Sequence, residues 1–230
     1  MFRIICLLIG YFFGMFQTSY FMGKLSGIDI REHGSKNAGF TNTNRVLGFR
    51  KGIVVFLIDV GKAMAAFAVA TVIYNNFLLS EASSFSANAG GTFFESSYVL
   101  PGLYAGLGVV LGHCFPFFLK FKGGKGVSST LGLIIMLDWR VAIISFAIGI
   151  AIVFFTRYIS VASMTIVLSV TPLLFFFFRR DHGGFTPVSP VEMILLTAGL
   201  CVFIWFLHRA NIQRLIAGEE NKFSFSRGRQ

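Results

Sequence analysis

The sequence predicts an all-α fold: a polytopic integral membrane protein of seven transmembrane helices, with the N-terminus outside and the C-terminus cytoplasmic. Three observations carry this reading. The 230 residues are 55% hydrophobic and 13% charged, whereas soluble domains carry roughly 25% charge. Apolar runs of near-bilayer length recur along the chain. The 20 Lys and Arg fall unevenly between the segments that join those runs. Such a composition excludes a soluble enzyme, a chain that is a disordered tail as a whole, and a disulfide scaffold.

The first run covers residues 4–23. It follows Arg3 but leads to no small-residue cleavage site, so it reads as a helix rather than a signal peptide. The second covers 52–79 and contains Asp59 and Lys62, three apart on one helical face; a structural ion pair and a site-lining role both fit them. The stretch 74–96, which overlaps its end, has no Lys or Arg and is rich in Ser, Asn and Gly, as an outside loop would be. The third run covers 97–119. Residues 127–155 are apolar but interrupted by Asp138-Trp139-Arg140. Residues 127–137 alone make about 16 Å of helix, short of a ~30 Å hydrocarbon core. That region is either one long helix with charges at mid-membrane or two helices hinged at Asp138. The last two runs are 158–178 and 191–207.

Charge decides between those alternatives. With seven spans, fifteen of the Lys and Arg lie on the cytoplasmic side; Arg3, Arg140, Arg179 and Arg180 lie outside and Lys62 within a span. With one helix through Asp138–Arg140 the balance falls to 11 against 7 and Arg140 is stranded in lipid. The positive-inside rule and the cost of an intramembrane charge both select seven spans. The fourth helix is then short, tilted and partly covered by protein. Residues 1–223 form a single seven-helix domain, and the polar tail 224–230 is expected to be disordered. Cys6, Cys114 and Cys201 are scattered, without a CxxC, and read as small buried apolar residues.

Three polar, glycine-containing segments interrupt the apolar background: 27–45, 112–126 and 208–220. On the seven-span arrangement all three face the cytoplasm. Gly123, Gly124 and Gly126 surround Lys125 just before an apolar helix. Glycines allow close backbone approach, and backbone N–H groups at a helix start beside a lysine suit an anion. The first segment offers the hydroxyls of Ser35 and Thr41, the amides of Asn37 and Asn42, and Arg45, which can grip a phosphate with paired hydrogen bonds. The third adds His208 and Asn211. Together they describe a phosphate pocket at the inner membrane surface. Lys120 and Lys122 read as headgroup anchors, and His113 as a structural hydrogen-bonding group. The basic balance reflects topology and phosphate binding, with no nucleic acid partner.

Several known chemistries are absent. A Walker A loop needs Gly five residues before the Gly-Lys pair and Ser or Thr after it, where Leu119 and Gly126 stand. No Gly-x-Ser-x-Gly elbow occurs. No His is followed five residues later by Asp, as one common acyltransferase signature requires; Ala38, Phe118, Pro187 and Gln213 occupy those places. A transporter of phosphate or an organic phosphate would use a similar pocket, but no polar relay continues from it to the outside.

Taken in order, the motifs resemble the bacterial acyl-phosphate-dependent glycerol-3-phosphate acyltransferases, the PlsY family. The resemblance runs through Gly-Ile-Asp-Ile-Arg and Gly-Ser-x-Asn-x-Gly-x-Thr-Asn-x-x-Arg within 27–45, and through Asp-x-x-Lys at 59–62. It continues with Leu-Gly-His-x-Phe-Pro at 111–116, Phe-Lys-Gly-Gly-Lys-Gly-Val at 121–127 and Arg-Tyr-Ile-Ser-Val-Ala-Ser at 157–163. His-Arg-x-Asn-Ile-x-Arg-Leu-x-x-Gly-x-Glu at 208–220 completes it. It implies transfer of a fatty acyl group from acyl phosphate to glycerol 3-phosphate at the bacterial inner membrane, facing the cytoplasm, with no cofactor and no metal. It implies that Ser35, Arg45, Lys125, Ser163, His208 and Asn211 line the polar site. Gly34, Asn37, Gly39, Thr41, Asn42, Gly123, Gly124 and Gly126 would assist binding, with the acyl tail in a groove between helices, open to membrane lipid. The base is either the donor's own phosphate or His208. Two positions and one short segment depart from the family pattern. Lys36 replaces a Gly, which would strain it by about 1 kcal/mol if φ is positive there. Phe40 replaces a small residue, and Gly14-Met-Phe-Gln replaces Gly-Ser-Ile-Pro.

Overall fold

The computed structural model describes residues 1–84, 99–182 and 190–223. The run predicted over 4–23 is two helices, α1 (Phe2–Met15) and α2 (Thr18–Leu25), because Phe16 leaves helical geometry at ψ 102°. No proline causes this break. The carbonyls of Gly14 and Phe16, which lose their intrahelical donors there, instead accept from the Lys62 ammonium at 3.3 and 2.9 Å. A further helix, α3 (Phe40–Leu47), starts after Gly39 inside the first polar segment, where the sequence pattern shows no apolar run.

Gly48, at φ +87°, turns the chain into α4 (Phe49–Ser84). At 36 residues it spans roughly 54 Å and outruns any bilayer core. From Lys62 to Ser84 there is no Gly or Pro to stop it, so the expected outside loop begins as helix, and the rest of it lies outside the described residues. The following helix, α5 (Val99–Cys114), ends before the predicted 119. Pro116 has no N–H to donate and disfavours helix at the residue before it. The chain then passes through a single 3₁₀ turn, Phe117–Leu119.

The hinge expected within 127–155 is present: α6 (Val127–Leu137) gives way to α7 (Trp139–Thr156) at Asp138. The Asp138 carboxylate caps α7, accepting from the N–H groups of Arg140 at 2.8 Å and Val141 at 3.4 Å. Arg140 pairs with the same carboxylate at 2.6 Å. These charges therefore sit matched at a helix junction rather than singly within a helix. Residues Ser129 to Ile134 of the short α6 are buried by its neighbours. Next come α8 (Ile159–His182), with Pro172 inside it, and α9 (Pro190–Leu207). The last helix, α10 (Arg209–Ile216), turns by 55° from α9.

Among the described residues, five spans are long and apolar enough to cross a membrane: α1 with α2, α4, α5 with its 3₁₀ turn, α7, and α8. The α9–α10 pair, bent by 55°, brings the number to six if it is counted as one span, and α6 is shorter. Gly10 and Gly14 on α1 pack on the backbone of Ala105 and Val109 in α5, and Gly108 and Gly112 on α5 pack on that of Leu7 and Tyr11 in α1, a small-residue seam of two GxxxG motifs. A Cβ at Gly10 would stand 1.8 Å from the Ala105 carbonyl oxygen, and one at Gly108 would stand 2.1 Å from that of Leu7. This intimate pair carries the chain to the loops that build the site.

Candidate functional site

The three polar segments predicted to act together come together at one end of the helices. The loop before α3 abuts the glycine loop, since the Ala38 carbonyl lies against Gly124. The glycine loop meets α10 through a hydrogen bond from Lys125 Nζ to Asn211 Oδ1, between residues 86 apart in sequence. Asn211 Nδ2 in turn donates to Glu220 Oε1 at 2.7 Å, and Arg214 Nε donates to Glu220 Oε2 at 2.7 Å. Arg45, in the last turn of α3, lies close enough to feel both Glu220 and Arg214. Glu220 and Arg214 belong to the third motif but carry no role in the sequence reading. A lone pair of acids ending a basic segment is the signal that could have found Glu220.

Electrostatics follow from this crowding. Burial lowers the Lys125 ammonium to about 8; Arg214 and Arg209 push the same way and Glu220 opposes them. Burial also raises the Glu220 carboxyl, but the bonds from Asn211 and Arg214 outweigh it and hold the group below the usual carboxylate range. Desolvation lowers the Arg45 guanidinium, with Glu220 again opposing. His208 sits at the α9–α10 bend, 3% exposed. Burial, and then the Lys125 charge, depress it to about 4. Its Nδ1 lies 2.8 Å from the Ile204 carbonyl. A carbonyl can only accept, so Nδ1 carries the proton and Nε2 presents a lone pair. The result is a neutral histidine beside a cluster of cations.

Other predicted residues hold the site rather than face it. Asn42 is buried and spends its amide on the first loop: Oδ1 accepts from Ser35 N–H at 2.8 Å, and Nδ2 donates to the Ile30 and His33 carbonyls at 3.1 and 3.0 Å. Gly34 has φ +58°, and a Cβ there would strike Asn42 Oδ1 at 2.4 Å. The expectation of free phosphate-binding amides needs correcting at Gly123 and Gly124. Their N–H groups already donate to the Cys114 and His113 carbonyls at 3.1 and 3.0 Å. These glycines are needed for close packing: a Cβ would stand 2.0 Å from the His113 carbonyl oxygen at Gly123 and 2.0 Å from His113 Nε2 at Gly124. Gly126, at φ +78°, precedes α6 and packs on Val110.

Ser35 stays exposed, with Asn37 beside Gly39 at the start of α3. Thr41 lies in the first turn of α3 and Ser163 is buried in α8; among the described residues neither side chain is hydrogen-bonded. Lys36 does have φ 60°, the left-handed geometry that strains it by about 1 kcal/mol. Phe40 is accommodated because its ring packs edge-on against Phe56, 5.6 Å between centroids.

Asp59 and Lys62 form the structural pair that the sequence left open. Lys62 Nζ lies 2.8 Å from Asp59 Oδ1 and 2.9 Å from His113 Nδ1, all three side chains buried. Thr18 donates to the same carboxylate at 3.2 Å, and Gln17 Nε2 donates to the His113 carbonyl at 2.7 Å. This network ties the α1–α2 break, α4 and α5 together directly behind Gly124.

Comparison with known proteins agrees with these motifs. Residues 4–218 match the glycerol-3-phosphate acyltransferase family. A glycerol-3-phosphate acyltransferase of Fusobacterium nucleatum is 33% identical, covering 95% of this chain and 97% of its own. One from Salinibacter ruber is 35% identical, covering 96% and 92%. Two crystal structures of PlsY, an integral membrane glycerol 3-phosphate acyltransferase, superpose on the chain at 30% identity. The glycerol 3-phosphate form gives a TM-score of 0.76 with 96% of each chain covered. The lysophosphatidic acid form gives 0.73, covering 96% of this chain and 95% of that one.

Proposed function

The chain belongs to the glycerol-3-phosphate acyltransferase family, and from that membership we propose that it transfers a fatty acyl group from acyl phosphate to sn-glycerol 3-phosphate. The products are 1-acyl-glycerol 3-phosphate and inorganic phosphate. The observation that supports this best is the junction of Lys125 with Asn211. It gathers Lys125, Arg214 and Arg45 around one point, a charge set suited to two phosphate-bearing substrates.

Acyl phosphate is an activated mixed anhydride, so the chemistry needs no enzyme nucleophile. The glycerol hydroxyl oxygen bonds to the acyl carbon, the carbon–oxygen bond to phosphate breaks, and the phosphate departs with its electron pair. Lys125 stabilises that leaving charge, and Arg45 and Ser35 hold the second phosphate. Neutral His208 accepts the hydroxyl's hydrogen bond at Nε2 and orients it. With its basicity depressed to about 4, it is a weak base, so the departing phosphate takes the proton. Glu220 keeps Asn211 and Arg214 aligned from behind.

The same reading places the chain in the bacterial inner membrane with seven spans, α6 included and covered by protein. The N-terminus lies outside and the pocket faces the cytoplasm, on the strength of the Lys and Arg distribution. Phosphate release by purified protein given acyl phosphate and glycerol 3-phosphate tests the reaction, with acyl-CoA as the competing donor. Turnover with acyl-CoA alone would overturn the donor assignment.

A further inference from the structure

We propose that the turn formed by residues 117–122 is a contact for anionic phospholipid headgroups that steadies the Lys125 loop, so that turnover rises on a membrane rich in anionic lipid. This rests on the reading above for its reaction, though not for its contact surface. The turn reads Phe-Phe-Leu-Lys-Phe-Lys. Phe117, Phe118 and Phe121 are 57%, 44% and 60% exposed, and Lys120 and Lys122 are exposed between and beside them. Water is a poor medium for three open phenyl rings, and hydrocarbon is a poor medium for two ammonium groups. The headgroup layer accepts both. Among the described residues neither lysine has an acidic partner, so their charges are available to lipid phosphates.

The backbone explains why such a contact would matter to the site. Lys120 and Phe121 stand consecutively at φ 55° and 60°, a conformation that side-chain-bearing residues rarely adopt. The turn closes on itself: the amides of Lys120, Phe121 and Lys122 donate to the carbonyls of Phe117, Pro116 and Leu119 at 3.0, 3.0 and 3.2 Å. With its amides directed inward, the turn projects its lysines outward. The next two amides, of Gly123 and Gly124, anchor to the end of α5, and Lys125 follows at once. Relaxation of the strained turn would therefore act on the placement of Lys125, three residues from Lys122. Headgroups that hold the lysines restrain that relaxation.

Two measurements in lipid nanodiscs test this. First, Phe121→Trp should be quenched more strongly by brominated phosphatidylglycerol than by brominated phosphatidylcholine, after subtraction of Trp139 and Trp205 in the parent protein. The preference should vanish when Lys120→Gln and Lys122→Gln are added. Second, the initial rate of the parent protein should rise on doping phosphatidylcholine discs with phosphatidylglycerol. A surface lysine gains about fivefold in attraction to an anionic bilayer, so a rise of about that size is expected. The Lys120→Gln/Lys122→Gln protein should match the parent in pure phosphatidylcholine and show no rise. Equal quenching by the two lipids, or an equal rise in both proteins, overturns the proposal. Absence of turnover under every condition would instead fail the reaction assignment, and the quenching result would still decide the lipid contact.

Discussion

At the scale of single residues, Lys125 is distinguished from its neighbours by what surrounds it. Its ammonium is largely desolvated and bonded to Asn211, whereas Lys122 is exposed. In detergent, Lys125→Ala should lower kcat as well as raise KM, by ~100-fold or roughly 3 kcal/mol, the scale of one charge-assisted contact in a shielded site. Lys122→Ala should cost far less there. Equal small effects from the two, in protein shown to be folded, would remove Lys125 from the site. The same burial predicts a pH dependence. A lysine lowered to about 8 loses its charge as pH rises through that value, so kcat/KM for glycerol 3-phosphate should decline above it. Lys125→Arg keeps its charge to above about 12, so whatever its absolute rate, its profile should stay flat there. A matching decline in both proteins would assign the titration to another group.

At the scale of elements, the site depends on helix packing that leaves no room for side chains. The α1–α5 seam brings backbone to backbone, and four glycines make that approach possible. Gly10→Leu should therefore force the two helices apart and lower the thermal unfolding midpoint in detergent. Gly199→Ala, where a Cβ meets nothing within 4 Å, should leave the midpoint unchanged or slightly raised. Unchanged unfolding of Gly10→Leu, read by size-exclusion after heating, would show that the seam is not tight. The Asp59–Lys62–His113 network works at the same scale. It supplies the donors that a broken helix lacks at Gly14 and Phe16, and it seats His113 against Gly124. A buried pair of this kind is costly to break on one side only, by about 3–5 kcal/mol, because the remaining charge is then uncompensated. That cost explains why an intramembrane Asp and Lys can serve architecture rather than chemistry.

At the scale of the whole molecule, orientation is the property on which the site's access to substrates depends. In a background with Cys6, Cys114 and Cys201 replaced, an impermeant thiol reagent added to intact cells should label Ser86→Cys and spare Ser226→Cys. Both positions lie outside the described residues. Labelling of Ser226→Cys in intact cells would end the seven-span arrangement. Lateral order matters too: many apolar side chains such as Phe12, Phe154 and Phe155 are exposed, which suits a surrounding solvent of lipid chains.

Much of this was already legible in the sequence. Apolar run length and charge placement determined the helical class, and the break at Asp138 followed from the cost of a charge in hydrocarbon. Motif order determined the family and pointed to Lys125, His208 and Asn211. Other features needed the tertiary structure because they depend on which groups the folded chain brings together, whether near or distant in sequence. Nothing local marks the α1 break, since its free carbonyls are satisfied from α4. Gly123 and Gly124 look like a phosphate cradle until their amides are found bonded to α5. Asn42 looks like a ligand until it is found holding its own loop. Glu220 gains its meaning only when the turn after α10 folds back to set it between Asn211 and Arg214. Periodicity and composition record what each residue needs from its solvent, whereas hydrogen-bond partners and close approaches are decided by which helices meet.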